Sequence, residues 1–163
     1  MHIQSENNSF DLTIIDYEFP DIVDSEYDSN WLLIEVSVTA QQGSWCFFHP
    51  CLLVWEAGAI PDYLDQLAAG VAPERELAFT EPLLFFAKNS KNELKLTFDA
   101  GAIPPWFEAS ADGGDSFCLE FALSAASLRD AAASLRKQLA RFPQRAGADH
   151  PNSGAEYTVL HVE

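Results

Sequence analysis

Trp31-Leu-Leu-Ile-Glu-Val-Ser-Val-Thr39 alternates from Leu33 onward, with Ile34, Val36 and Val38 set against Glu35, Ser37 and Thr39. Successive side chains of an extended chain point to opposite faces, so a period of two predicts a strand with one buried and one wet face. The pattern extends outward on both sides. Gln41-Gln42-Gly43 is a turn, residues 44–48 return as a second strand, and residues 52–55 form a further extended apolar stretch. Upstream, residues 1–5 and 10–17 are β-favouring and flank the polar turn Glu6-Asn7-Asn8-Ser9, which predicts a hairpin. Downstream, Pro61 lies just inside an amphipathic helical pattern of Ile60, Leu64, Leu67 and Ala68, with Gly70 just past its end. Residues 76–80, 83–87, 94–98 and 117–123 read as strands, and residues 101–115 read as a long loop ending in the turn Asp112-Gly-Gly-Asp115. Ser124 or Ser127 then caps a helix whose Leu128, Ala132, Leu135 and Leu139 recur every three or four residues up to Phe142-Pro143. Arg136, Lys137 and Arg141 complement the dipole at its end. Many strands interrupted by two helices predict an α+β fold, a mostly antiparallel curved β-sheet with two α-helices packed on it. Residues 1–143 form one domain on this reading. Residues 144–163 form a C-terminal extension, partly flexible, with residues 157–162 as an added strand.

The chain has 163 residues, of which 48 % are hydrophobic and twelve are Phe, enough for a core without covalent staples. No apolar run approaches the roughly 20 residues of a membrane span. Met1-His2-Ile3-Gln4 lacks the layout of a signal peptide, so a cytoplasmic protein is expected. Cys46, Cys51 and Cys118 are an odd number in hydrophobic segments, which predicts buried free thiols. The formal charge of −16 is unevenly spread, because the first 74 residues carry thirteen acids and no Lys or Arg. Such a surface repels nucleic acid and anionic membranes and favours a cationic partner. It also serves solubility, and composition alone leaves both readings open.

Asp24-Ser-Glu26-Tyr-Asp28-Ser-Asn30, with Glu35 at the twelfth position, approaches the ligand spacing of a calcium loop. Ser29 stands where that loop needs Gly, and a strand follows where it needs a helix, so no metal is assigned. Cys46, His49 and Cys51 supply three ligands at spacings unlike those of zinc modules. No glycine-flanked Ser elbow or phosphate-binding loop is present, and no catalytic residue or cofactor is assigned. Tyr17, Phe19, Tyr27 and Trp31 bracket the acids from Asp16 to Asp28, a mixture suited to capturing a basic protein. Tyr17, Phe19 and Trp31 are equally readable as core residues at strand ends beside a solvated loop.

Five blocks in order resemble the WapI-family immunity proteins of bacteria: Tyr17-Glu-Phe-Pro20; Asp28-Ser-Asn-Trp-Leu32; Trp45-x-Phe47-x-x-Pro50-x-Leu52-Leu53-x-Trp55-Glu56; Phe79-Thr-Glu-Pro82; and Leu128-Arg129-x-Ala131-Ala132-x-Ser134-Leu135-Arg136, ending in Phe142-Pro143. Gly58 and Pro61 depart from the family pattern in shortening or kinking the first helix, and the tail after Pro143 is an extension. The resemblance implies a cytoplasmic protein that binds and neutralises the toxic C-terminal domain of a cognate polymorphic toxin, often a nuclease. It carries over no catalytic residues. The expected docking surface is Phe19 and Tyr27 as anchors, with Asp21, Asp24, Glu26 and Asp28 steering a basic toxin domain. The alternative is a small-ligand-binding domain or enzyme with a carboxylate-lined cleft.

Overall fold

The computed structural model describes residues 1–108 and 116–146. Strands β1 (His2–Gln4), β2 (Ser9–Tyr17), β3 (Trp31–Ala40) and β4 (Gly43–Leu53) form an antiparallel sheet in chain order. Helix α1 (Val54–Ala68) follows. Strands β5 (Leu77–Ala78), β6 (Leu84–Lys88), β7 (Leu94–Phe98) and β8 (Phe117–Phe121) form a second antiparallel sheet, again in chain order, and α2 (Ala125–Leu139) ends the series. The α+β class is as expected, with the strands divided between two four-stranded sheets.

The alternation in β3 sets the first sheet's faces. Ile34 pairs with Ile14, Val36 with Leu12 and Phe47, and Val38 with Phe10 and Trp45. Their inward side chains meet the second sheet through aromatic contacts. Phe10 lies 6.1 Å from both Phe86 and Phe98, and Trp45 lies 5.2 Å from Phe98 and 5.4 Å from Phe117. The buried indole N–H of Trp45 donates to the Ala102 carbonyl at 2.9 Å, so its polar atom costs little in the core. Trp106 closes the β3–β4 turn: a Cβ on Gly43 would lie 3.1 Å from its ring.

Helix α1 begins seven residues before Pro61 and runs through it, so Pro61 neither starts nor shortens the helix. Residues 54–55, expected to be extended, are its first turn. An interior Pro removes one helical hydrogen bond and costs about 3 kcal/mol, which burial of Ile60, Pro61 and Leu64 offsets. The start is set by Glu56, buried at 4 % exposure. Its carboxylate accepts from the Leu53 N–H at 2.9 Å and from the Thr80 N–H and hydroxyl at 2.7 Å each. The end follows the sequence reading. Gly70 adopts φ +72°, and the Gly70 and Val71 N–H groups return to the carbonyls of Leu67 and Gln66.

Ser124 is the cap of α2, its hydroxyl accepting from the Ser127 N–H at 3.0 Å. The helices run antiparallel: Arg129 reaches the Ala68 carbonyl at the end of α1, while Arg136, a turn or two later, pairs with Asp62 and Asp65. From α2, Gln138 also serves β2 beyond the reach of β1, accepting from the Ile14 N–H at 2.8 Å and donating to the Leu12 carbonyl at 3.1 Å. The Leu12 carbonyl also accepts from the Met1 ammonium, so the group that Gln138 closes on this strand edge is the Ile14 N–H.

The thiols need correction. Cys51 is buried, but Cys46 and Cys118 are exposed, because the strand period places them on the outer faces of β4 and β8. Asp112-Gly-Gly-Asp115, the strand at 157–162 and the extension beyond Ala146 lie outside the described residues.

Candidate functional site

The acidic stretch is the connection from β2 to β3, residues 18–30, and carries Glu18, Asp21, Asp24, Glu26 and Asp28. A β-bulge at Ile15 shifts the register of β2, which goes on to pair Asp16 with Leu33 and Tyr17 with Leu32, and turns Tyr17 into the core. The loop leaves after Tyr17 and returns through a 3-10 turn, Asp28–Asn30. Ser25 and Ser29 hold it locally, the Ser29 hydroxyl accepting from the Ser25 N–H and the Ser25 hydroxyl from the Asp28 N–H. Ser29 and Asn30 are fully buried.

Asn30 is the inner hub. Its amide donates to the carbonyls of Glu26 at 2.7 Å and Ala146 at 3.2 Å, and its oxygen accepts from the Arg145 N–H at 2.8 Å. The Arg145 guanidinium stacks on the Tyr17 ring, 3.5 Å from its centroid. Its Nη1 lies 3.3, 3.0 and 2.9 Å from the carbonyls of Phe19, Pro20 and Ile22. The Tyr17 hydroxyl donates to the Pro143 carbonyl. The loop that carries five acids is therefore fastened through its carbonyls and Asn30 to Arg145.

On the outside, Phe19, Val23 and Tyr27 are 39, 59 and 52 % exposed. The two readings of the aromatics divide: Tyr17 is core, Trp31 is half-buried, and Phe19 and Tyr27 face solvent. Asp21, Asp24, Glu26 and Asp28 are exposed on the same loop. Tyr27 meets Trp55, the second residue of α1, edge to face at 5.8 Å. Burial pushes the Glu18 carboxyl above its ordinary range; the His49 ring opposes the shift and the carboxylates of Asp28 and Glu81 add to it. The acidic surface thus extends from the loop to Glu81 and the start of α1. Trp55, Glu81, His49 and Arg145 were missed as site residues, since each reaches the loop from a distant part of the chain; Asn30 lies in the loop itself, and its role as an inner hub comes from its burial. The adjacent blocks Trp55-Glu56 and Thr80-Glu81 were the signal that could have found two of them.

The calcium-like spacing forms no ligand shell, since Asp24, Glu26 and Asp28 sit on the loop while Glu35 projects from the outer face of β3. Among the described residues, no group of three or more His, Cys, Asp or Glu is placed to hold a metal. A shallow depression of about 390 Å³ is lined by residues of the β1–β2 turn with Lys91, Glu93, Glu120 and Ala122. A second, of about 290 Å³, is lined by Tyr63, residues 73–76, Ala87 and Lys88. Both are open to solvent, and neither involves the loop.

An α+β domain that displays a framed, acidic, aromatic-bearing loop beside shallow depressions has the form of a small binding domain. The model of the immunity protein WapI-like family matches residues 1–143, and the chain belongs to that family. No curated protein matches it. Membership gives the chain a role in toxin immunity, which implies binding a cognate toxin and inhibition rather than catalysis. Among the described residues, no helix is long and apolar enough to cross a membrane.

Proposed function

We propose that the chain acts in the cytoplasm by docking residues 18–30 onto the basic, substrate-holding surface of a polymorphic toxin's C-terminal domain, and that this toxin is a nuclease. The observation that carries the reading is that one loop displays exposed carboxylates together with the exposed side chains of Phe19, Val23 and Tyr27. A nuclease needs positive surface to hold phosphates, and an acidic competitor uses the charge that its activity requires. Complementary charge accelerates encounter by about 10- to 1000-fold, while durable affinity comes from desolvated anchors. Phe19 and Tyr27 are the anchors on this reading, and Asp21, Asp24, Glu26 and Asp28 the steering charges. The same charge keeps the chain off nucleic acid and anionic membranes.

The test is charge reversal of the four steering acids to Lys, with association to the toxin domain followed by stopped flow across a salt series. The rate at low salt falls by at least about tenfold, and its salt dependence flattens. An unchanged rate at low salt refutes the assignment.

A further inference from the structure

The loop that carries the proposed docking surface holds residues 25–30 with its own bonds and has little of its own to hold residues 19–24. Of the main-chain hydrogen bonds within residues 18–30, Ile22 N–H to Phe19 at 3.2 Å and Ser29 N–H to Ser25 at 3.3 Å are long, and the shorter Asn30 N–H to Tyr27 at 2.8 Å closes only its last turn. Its acids repel one another, and most of its side chains face solvent. Local segments with few buried contacts and exposed main chain open at low free-energy cost. Against that, Arg145 brings a face-on contact with Tyr17 and one nitrogen shared among three loop carbonyls. Its main chain continues the attachment: Arg145 N–H donates to Asn30, and Ala146 N–H to the Val23 carbonyl at 3.4 Å. Arg145 lies two residues beyond the segment matched by the family.

We infer that Arg145 is a positioning residue for toxin binding: it holds residues 18–30 in the shape that docks, so the segment after Pro143 contributes to partner recognition without touching the partner. The inference rests on the docking reading above. Its physical basis is preorganisation. A loop already ordered in its binding shape loses less entropy on association, which raises affinity without adding a contact. A stacked, multiply bonded guanidinium is suited to the task, because it cannot lose its charge and is weakly hydrated.

The experiment compares the full-length wild-type chain with Arg145→Ala and with Arg141→Ala, a control that removes the same charge from the cation beside Phe142. Amide hydrogen exchange is read over residues 18–30 and over β3 and β4, and binding of an octa-arginine peptide is measured at low ionic strength. Arg145→Ala raises exchange in the loop by about tenfold or more and leaves β3 and β4 at wild-type protection. It also weakens peptide binding by about fivefold, although the variant is the more negative protein. Arg141→Ala leaves loop exchange at the wild-type level and does not weaken peptide binding. Unchanged loop exchange in Arg145→Ala overturns the inference, as does protection lost evenly across the sheet. Tighter peptide binding by Arg145→Ala, which charge alone predicts, also overturns it. Failure of the wild-type chain to bind the peptide counts against the docking surface itself, and loop exchange then decides the role of Arg145.

Discussion

Cys51 is the extra residue at the bulge where β4 passes from pairing with Leu33 to pairing with Leu32. The bulge turns its thiol inward, where burial, with the carboxylates of Glu56 and Glu81 adding, pushes it up to about 12 from an ordinary 9.0. A thiol held protonated is a poor nucleophile. At neutral pH a disulfide reagent is expected to label Cys46 and Cys118 in the folded protein and to reach Cys51 only on unfolding; rapid labelling of three thiols would contradict this burial. The sign for stability follows from linkage. A group whose folded pKa is raised contributes its full stability below the unfolded value and loses it as pH climbs through the folded one. Cys51 contributes such a loss from about 9 to about 12, and buried Tyr63, raised from 10.0 to about 12, acts in the same window. The melting temperature is therefore expected to fall across that range, and Cys51→Ala to flatten its lower part.

The helix pair shows how differently two polar contacts act at the scale of elements. Arg136 bridges Asp62 and Asp65 at 2.7 Å each, but all three side chains are half open to water. Such pairs contribute roughly 0.2–1 kcal/mol. Gln138 instead satisfies main-chain groups of β2 at a half-buried seam. Its removal leaves the Ile14 N–H unpartnered, at a cost of about 1–3 kcal/mol. Urea unfolding is expected to rank Gln138→Ala as clearly more destabilising than Arg136→Ala, and the reverse order would refute this division. Local chemistry made α2 legible in the sequence, since Ser124 and the Leu128 to Leu135 periodicity lie within the helix or beside it. The same was true of the β1–β2 hairpin and the end of α1. The start of α1 was hidden, because Glu56 caps it while bonding to Thr80, twenty-four residues away. Residues 52–55 are apolar and bulky enough to suit a strand, and the buried Glu56, held by Thr80 and capping Leu53, divides them between β4 and α1. The separation into two sheets was equally long-range, resting on ring contacts such as Phe10 with Phe86.

At the scale of the molecule, a formal charge of −16 means that folding gathers like charges. Raising sodium chloride from about 10 to about 150 mM shortens the screening length from about 30 to about 8 Å. The melting temperature is expected to rise over that range, by about 2–4 °C for each kcal/mol of repulsion relieved; a fall would mean that attractive pairs dominate the surface. The imbalance itself was plain from counting acids before Arg75. Its relation to the fold was not, since the cation beneath the acidic loop lies 115 residues after Asn30. The character of that support has a further consequence. Arg145 and Ala146 grip residues 19–23 through the carbonyls of Phe19, Pro20, Ile22 and Val23, and Asn30 grips Glu26 in the same way. Over residues 19–23 that frame holds carbonyls rather than side chains. Asp21, Val23 and Asp24 can accordingly be randomised as a library on a constant scaffold, and recognition retargeted by selection at these positions without redesigning the domain beneath.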